Sequence, residues 1–221
     1  MSNKEYTKKL EQVIKNMLQP LKDVPFSLAI EAISNCKVIS FDKNKNEDLK
    51  LLKKLEEVAQ ESARKINKEG IKRKRANEVG NDAEDFVIYQ ANIAGIKAER
   101  PENRAGKKQV MGYPDILLID KKERAIYLEI KTYNQENIES TQKTFYFSPS
   151  ENFKVKYNGL HIALSFEIHI SGNKGEFNVY KCRGWKILDL SKLMVDVKHE
   201  FNANNKQLYH EDLIISGGEI N

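Results

Sequence analysis

A chain of 221 residues is long enough to enclose one well-buried hydrophobic core, so a single domain is the first expectation. The hydrophobic content of 40% excludes a wholly disordered protein, and the charged content of 31% predicts a highly polar surface. No apolar run approaches the roughly 18 residues needed to span a membrane, and the initial segment MSNKEYTKKL lacks the apolar stretch of a secretory signal. We therefore expect a cytoplasmic protein that does not contact a membrane. The two cysteines, Cys36 and Cys182, lack the spacing of a metal site and are expected to be buried free thiols.

The first half of the chain has the apolar periodicity of helices. This pattern predicts helices over residues 4–18, 26–33 and 47–68, and a further helix that contains the sequence AEDFVIYQANIAG. Pro20 and Gly70 are suited to end the first and third of these helices, and Gly80 and Asn81 to cap the last one. Residues 37–41 fit either a short strand or the edge of a loop.

From residue 113 onward the pattern changes to short apolar runs separated by turn residues, which indicates a sheet. Strands are predicted over residues 113–120, 125–131, 160–170, 177–181 and 187–190, with turns at 121–124 and 171–175 and a final helix over 191–201. Neither an internal repeat nor a Pro/Gly-rich linker interrupts the chain. The sequence therefore predicts one mixed α+β domain, with an N-terminal helical part over residues 1–70 and the main part over residues 71–221.

The segment GYPDILLIDKKERAIYLEIKTYN, residues 112–134, is predicted to be a hairpin with unusually placed charges. Because side chains alternate along a strand, Glu129 and Lys131 are expected on the same face. A turn centred near Lys122 would place Asp115 opposite Glu129, and the Cβ atoms of such partners are about 4.5–5.5 Å apart. Two like charges so close destabilise a sheet unless a cation lies between them.

Magnesium is the natural candidate for that cation, because it prefers oxygen ligands and is usually held by one or two carboxylates and phosphate oxygens. Asp115, Glu129 and the backbone carbonyl of Ile130 would be its protein ligands. Lys131 could then orient or deprotonate the attacking water, or stabilise charge on a scissile phosphate. The alternative is an ordinary surface hairpin with a solvated Glu-Lys pair. The Pro-Asp at the head of the first apolar strand favours the catalytic interpretation.

Pro114-Asp115 followed by Glu129-Ile130-Lys131 resembles the motif of the PD-(D/E)xK nuclease superfamily, which includes the type II restriction endonucleases. The resemblance implies a restriction-endonuclease-like core, a central mixed sheet flanked by helices, in which Asp115 and Glu129 bind Mg²⁺ and Lys131 assists the water. Many members also carry a glutamate on the helix before the hairpin, and Glu84 is the best match here. The alternative for Glu84 is that it merely complements a helix N-terminus.

Basic and polar residues on both sides of the hairpin are candidate DNA contacts. The candidates before the hairpin are Lys72, Arg73, Lys74, Arg75, Lys107 and Lys108. The candidates after it lie in FYFSPSENFKVK and are Ser148, Ser150, Asn152 and Lys154. Solvated surfaces would explain the basic clusters equally well, and an ordinary loop with buried Phe145 and Phe147 is the alternative for the second segment. The net charge of +5 is only a weak indication of nucleic-acid binding.

The first hypothesis is a type II restriction endonuclease that acts as a homodimer on a short site in double-stranded DNA. A structure-specific repair or recombination nuclease of the same superfamily is the near alternative. A non-catalytic nucleic-acid-binding module is the alternative from a different class. His161 and His169 alternate with apolar residues and are interpreted as core or edge histidines, and Trp185 as a core residue.

Overall fold

The computed structural model describes residues 3–17, 19, 21–108, 112–134, 145–150, 152–197, 205–208 and 210–213. The chain forms two compact units: one comprises Met1–Val24 and Val195–Asn221, and the other comprises Pro25–Met194. The second unit contains both halves of the hairpin motif. None of the described helices combines the length and apolarity that crossing a membrane requires.

The first unit contains helix α1 (Asn3–Met17) and a short helix near the C-terminus, and most of a two-stranded sheet. Strands β1 (Leu21–Pro25) and β9 (Met194–Val197) form this sheet. The predicted first helix is confirmed up to Met17, and residue 18 lies outside the described residues. The predicted helix over 191–201 is wrong in its described part, because a 3₁₀ turn at Leu190–Lys192 leads directly into β9. The pairing of β9 with β1 outweighs the helical pattern there.

The first part of the second unit alternates helices with short strands, and its second part supplies four consecutive strands of one large sheet. Its elements are α2 (Phe26–Ser34), β2 (Val38–Ile39), α3 (Asn46–Glu69), β3 (Ile71–Arg73), α4 (Val79–Ile93), β4 (Lys97–Glu99), β5 (Ile116–Ile119), β6 (Ala125–Tyr133), β7 (Gly159–Lys174) and β8 (Phe177–Asp189). The three predicted helices of this region are confirmed. Strands β3 and β4 were not predicted, because three residues rich in charge give no readable alternation.

The large sheet has the strand order β3-β8-β7-β6-β5-β4, and β2 pairs with the beginning of β7. The pairs β6–β7 and β2–β7 are parallel and the others are antiparallel. The two strands predicted over 177–181 and 187–190 are parts of one strand. A register shift at Cys182 does not end the pairing of β8 with β7. The result is a mixed sheet flanked by helices, which confirms the predicted fold class.

Both faces of this sheet are covered near the hairpin. Helices α3 and α4 pack against one face, where Leu55, Val58 and Val87 meet Ile126 and Leu128 of β6 in the main hydrophobic core. The opposite face carries a cluster of aromatic rings from α2, β6, β7 and the segments before β5 and β7: Phe26, Tyr113, Tyr127, Phe145, Phe147, Phe153 and His161. Buried on both faces, β6 is a rigid support for the charges at its end.

Gly159 is the point where β7 starts between its two parallel neighbours, since it faces both Val38 and Ala125. A Cβ atom at this position would lie 2.5 Å from the carbonyl oxygen of Ala125. Because backbone cannot yield as a flexible side chain can, Gly159→Ala is expected to lower the free energy of unfolding by about 1–3 kcal/mol. Urea unfolding measures this change.

Gly172 in the same strand is the matched control, because a Cβ atom there would meet open space. Gly172→Ala is expected to change the free energy of unfolding by less than about 0.5 kcal/mol. Equal effects of the two substitutions would contradict the close approach at Gly159.

Candidate active site

The register of the β5–β6 hairpin brings the predicted carboxylates together. Ile116 pairs with Leu128, so the next residue along, Asp115, lies opposite Glu129. The Oδ2 atom of Asp115 also accepts a hydrogen bond of 2.8 Å from the backbone N–H of Ile130. The predicted register is confirmed, and the side chain of Asp115 is fixed to the neighbouring strand.

The opposite end of the hairpin is fastened to helix α3. Arg124 donates to Asp120 within the turn at 2.8 Å and forms an ion pair of 2.5 Å with Asp48. Lys122 pairs with Glu47 at the start of the same helix. A slip of one residue would break these contacts and turn every side chain of the strand to the other face, so the register is strongly specified.

Glu129 lies on β6 with only 4% of its surface exposed. Its Oε1 atom accepts a hydrogen bond of 2.8 Å from the ammonium group of Lys131, which confirms that the two side chains share one face. The Oε2 atom is buried and has no hydrogen-bond partner among the described residues. The Nζ atom of Lys131 also lies 5.6 Å from the centre of the Phe145 ring. Glu129 therefore has one oxygen free for a further ligand.

Glu84 lies in the second turn of α4 and is 7% exposed. Asp82, in the first turn of that helix, pairs with Arg73 instead. The Glu84 carboxylate lies 3.4 Å from Arg100, which also pairs with Asp85 at 2.9 Å. Burial, and after it the negative charge of Asp115, raises the pKa of Glu84, so the two carboxyls interact electrostatically. Burial beside Asp115 favours a place in the site over the alternative role at the helix N-terminus.

Lys154 is the unexpected member of this group, because it is only 3% exposed. Its Nζ atom donates hydrogen bonds to the carbonyl oxygens of Gly112 (2.5 Å) and Pro114 (3.0 Å). Burial lowers the pKa of its ammonium group, while the charges of the nearby carboxylates raise it. The sequence carries one signal of this burial: Lys154 stands between Phe153 and Val155, which are both buried.

Burial of three carboxyl groups in one place shifts their proton affinities. Burial, followed by the charge of Asp115, raises the pKa of Glu129 from 4.5 to about 7. The same two causes raise the pKa of Glu84 to about 7. Burial also raises the pKa of Asp115, although the hydrogen bond from Ile130 and the charge of Lys131 act in the opposite direction. The group holds more negative charge than its surroundings easily accept, which favours the binding of a cation.

The oxygen atoms available here fit Mg²⁺ better than a metal that needs a complete protein cage. Within the described ranges, no three His, Cys, Asp or Glu side chains are grouped so that they could hold a metal ion by themselves. Magnesium is usually bound through one or two carboxylates together with waters and substrate phosphates. Asp115 and the free Oε2 atom of Glu129 provide that smaller set, and Ile130 directly follows Glu129 in the chain.

The predicted DNA contacts have different surroundings in the structure. Arg73 pairs with Asp82, Lys74 with Glu176, and Lys108 lies 3.6 Å from Glu99. The remaining candidates outside the carboxylate cluster are exposed: Lys72, Arg75, Lys107, Ser148, Ser150 and Asn152. Lys154 is buried within the cluster, so its surroundings favour a role inside the site over contact with DNA.

The histidines of β7 do not belong to the carboxylate cluster. His161 is fully buried, and its Nδ1 atom shares a hydrogen bond of 2.6 Å with the hydroxyl group of Tyr113. Burial lowers its pKa to about 3, so the ring is neutral at physiological pH. This confirms the interpretation of His161 as a core histidine. Trp185 packs at the edge of the main core and donates to Gln60, which makes it a partly buried member of that core.

The raised pKa of Glu129 predicts a pH-dependent stability. A carboxyl whose pKa rises on folding stabilises the folded state below about pH 4.5, and this contribution is lost as the pH rises through about 7. Glu129→Gln keeps the shape of the side chain and removes the charge. In EDTA at pH 8, the variant is expected to unfold with a free energy about 1–3 kcal/mol higher than that of the unsubstituted protein.

The difference is expected to shrink at pH 5, where Glu129 is already protonated in the folded chain. Glu57→Gln is the control, because Glu57 is exposed on α3. Its free energy of unfolding is expected to match that of the unsubstituted protein at both pH values. The prediction would be contradicted if the stability of Glu129→Gln relative to the unsubstituted protein were lower at pH 8 than at pH 5. The charge of Glu129 would then not destabilise the folded protein.

Comparisons with known proteins agree with the geometry. The model of a family described as "Type II restriction enzyme MjaV family" matches residues 5–212. A curated protein named "Type II restriction enzyme MjaV", from Methanocaldococcus jannaschii, is 40% identical over 230 aligned positions, which cover 97% of each chain. No solved structure matches the chain. Because the family match extends over nearly the whole sequence, the chain belongs to the MjaV family of type II restriction enzymes.

Proposed function

We propose that this chain cuts both strands of a specific duplex DNA site by Mg²⁺-dependent hydrolysis of a phosphodiester bond in each strand. Membership of a type II restriction enzyme family supports site-specific cleavage of DNA and favours it over a repair nuclease or a non-catalytic module. The observation that carries the chemistry is the pairing of Asp115 with Glu129 beside Lys131.

Asp115, Glu129 and the carbonyl of Ile130 are the groups that would hold Mg²⁺. When bound, the ion would stabilise charge on the scissile phosphate and lower the pKa of a nearby water. The residues of the chain supply the geometry, because the hydrogen bond from Ile130 fixes Asp115 and the backbone pairing fixes Glu129. Glu84 adds a third carboxylate at the edge of the site, where it would bind through water or orient the ligands.

Lys131 would act on the attacking water and on the phosphate. In the chain without substrate its ammonium group is held by Glu129 at 2.8 Å. Binding of a cation to the carboxylates would weaken this ion pair and leave Lys131 able to donate to a phosphate oxygen or to orient the water. The Phe145 ring beside it limits the directions that its side chain can take.

The exposed basic and polar residues are the proposed DNA contacts. Lys72, Arg75 and Lys107 would neutralise phosphates, which positions the duplex without reading its sequence. Arg73, Lys74 and Lys108 would first have to exchange their carboxylate partners for phosphates. Ser148, Ser150 and Asn152 are exposed in one segment and would contact phosphates or base edges.

The protein is proposed to act as a homodimer, because each chain carries one carboxylate cluster and a duplex has two strands to cut. A cytoplasmic location is part of the same proposal, because the proposed substrate is DNA. Light scattering of the protein bound to its duplex site is expected to give the mass of two chains plus one duplex. A mass of one chain per duplex would contradict the homodimer.

Digestion of unmethylated plasmid and phage DNA tests the proposed activity. Discrete fragments are expected with Mg²⁺ and none with EDTA. Asp115→Asn and Lys131→Ala are each expected to lower the cleavage rate by on the order of 100-fold or more, because each removes a group that stabilises the transition state. DNA binding in EDTA, measured by gel shift, is expected to persist in both variants.

Charged residues in the turn of the same hairpin supply matched controls. Glu123 and Lys121 are exposed there, at the end away from the carboxylates. Glu123→Gln and Lys121→Ala are expected to cleave at the rate of the unsubstituted protein. Full cleavage by Asp115→Asn would contradict the assignment of the active site. Intact DNA after incubation of the unsubstituted protein with Mg²⁺ would contradict the proposed activity.

A further inference from the structure

We propose that Lys154 is a positioning residue for cleavage: its buried ammonium group holds the turn before β5, and so Asp115, in place without contacting DNA. This inference rests on the proposed function of the Asp115–Glu129 site and adds a second lysine with a role different from that of Lys131.

Two hydrogen bonds of Lys154 go to the turn that carries Asp115. Its Nζ atom donates to the carbonyl oxygens of Gly112 and Pro114, the latter belonging to the residue directly before Asp115. These carbonyls lie outside the β5–β6 ladder, whose pairing begins at Ile116. The ammonium group therefore supplies the hydrogen bonds that the sheet does not give to this turn.

Lys154 itself is held firmly by its neighbours. Phe153 and Val155 on either side are buried, and the Phe153 ring stacks on Tyr113 with centroids 6.4 Å apart. Tyr113 is in turn hydrogen-bonded to His161 of β7. The Phe153 ring and the Lys154 ammonium group thus anchor the segment before β7 to the same turn. These contacts restrict the movement of Asp115, which follows that turn.

Burial of a lysine is costly, and here the surrounding carboxylates offset the cost. Asp115, Glu129 and Glu84 all act electrostatically on Lys154. Its positive charge opposes the mutual repulsion of Asp115 and Glu129, so it favours their close approach before a cation binds. Removal of this lysine alone would leave the surrounding carboxylates without its positive charge, so Lys154 balances the charges of a reactive site.

Contact with a phosphate would require a different placement. A phosphate-binding ammonium group must be reachable from solvent, as the half-exposed Lys156 two residues further on is. At 3% exposure Lys154 is enclosed, and two of its hydrogen bonds go to backbone carbonyls. The two roles give different experimental signatures, because a phosphate contact contributes to the salt dependence of DNA binding and a positioning residue does not.

The test compares Lys154→Met with the unsubstituted full-length protein on a duplex that contains the mapped cleavage site. Methionine has a similar length and lacks both the charge and the donor. With Mg²⁺, kcat is expected to fall by about 10- to 100-fold, the scale of a small misplacement of a catalytic group. In EDTA, Kd for the duplex and its dependence on salt concentration are expected to stay unchanged.

Amide hydrogen exchange gives a readout that does not depend on cleavage. The N–H of Ile130 is bonded to Asp115, so loosening of the turn is expected to speed its exchange in Lys154→Met. Lys154→Gln, which keeps a donor but no charge, is the second variant and serves if the methionine variant does not fold. Lys156→Met is the control in the same segment and is expected to change neither kcat nor the exchange at Ile130.

Two outcomes would overturn the inference. One is an unchanged kcat in Lys154→Met or Lys154→Gln while the unsubstituted protein cleaves. The other is weaker DNA binding whose salt dependence falls by about one ion at constant kcat, which would make Lys154 a phosphate contact. Failure of the proposed function is distinguishable, because the unsubstituted protein would then leave the duplex intact with Mg²⁺.

Discussion

The antiparallel pairing of β5 with β6 forces the carboxyl groups of Asp115 and Glu129 to lie side by side. Most side chains of both strands are buried, Glu129 among them, and the N–H of Ile130 holds Asp115 directly. Strands with buried side chains on both faces resist a shift of register, because a shift would exchange the two faces. The fold therefore imposes repulsion between the two carboxyl groups, and the neighbouring cationic side chains reduce that repulsion.

The cationic side chains around the two carboxyl groups pair with different parts of the site. Lys131 pairs with Glu129, whereas Lys154 donates to the carbonyl of Pro114 and Arg100 pairs with Glu84. Such a cluster reduces stability above neutral pH, as the raised pKa values of Glu84 and Glu129 show. Binding of a cation would relieve the strain, so stability and activity depend on the same few charges.

The two faces of the sheet contribute in different ways. Helices α3 and α4 give the hairpin an apolar base, and Asp48 at the start of α3 fastens its turn through Arg124. On the other face, aromatic rings carry the turn before β5 and bring Phe145 to the ammonium group of Lys131. Apolar packing thus supports the hairpin that carries the charged groups from both faces of the sheet.

The sequence by itself determined the elements whose signals are local. Alternation in residues 125–131 and the charged turn before them specified the hairpin, its register and the shared face of Glu129 and Lys131, because strand geometry repeats every second residue. The helical periodicity specified the long helix α3 in the same way. The short strands β3 and β4 could not be predicted from the sequence, since three residues are too few to show a periodic pattern.

Only the tertiary structure decided which distant side chains meet. Glu84 and Lys154 are separated from the hairpin by many residues, and in the sequence both resemble ordinary charges at a helix start and in a polar loop. Their burial beside Asp115 depends on how α4 and the segment before β7 pack around the sheet. Long-range packing leaves no periodic trace in a single sequence, so the sequence indicated Glu84 only through the family resemblance and Lys154 only as a candidate DNA contact.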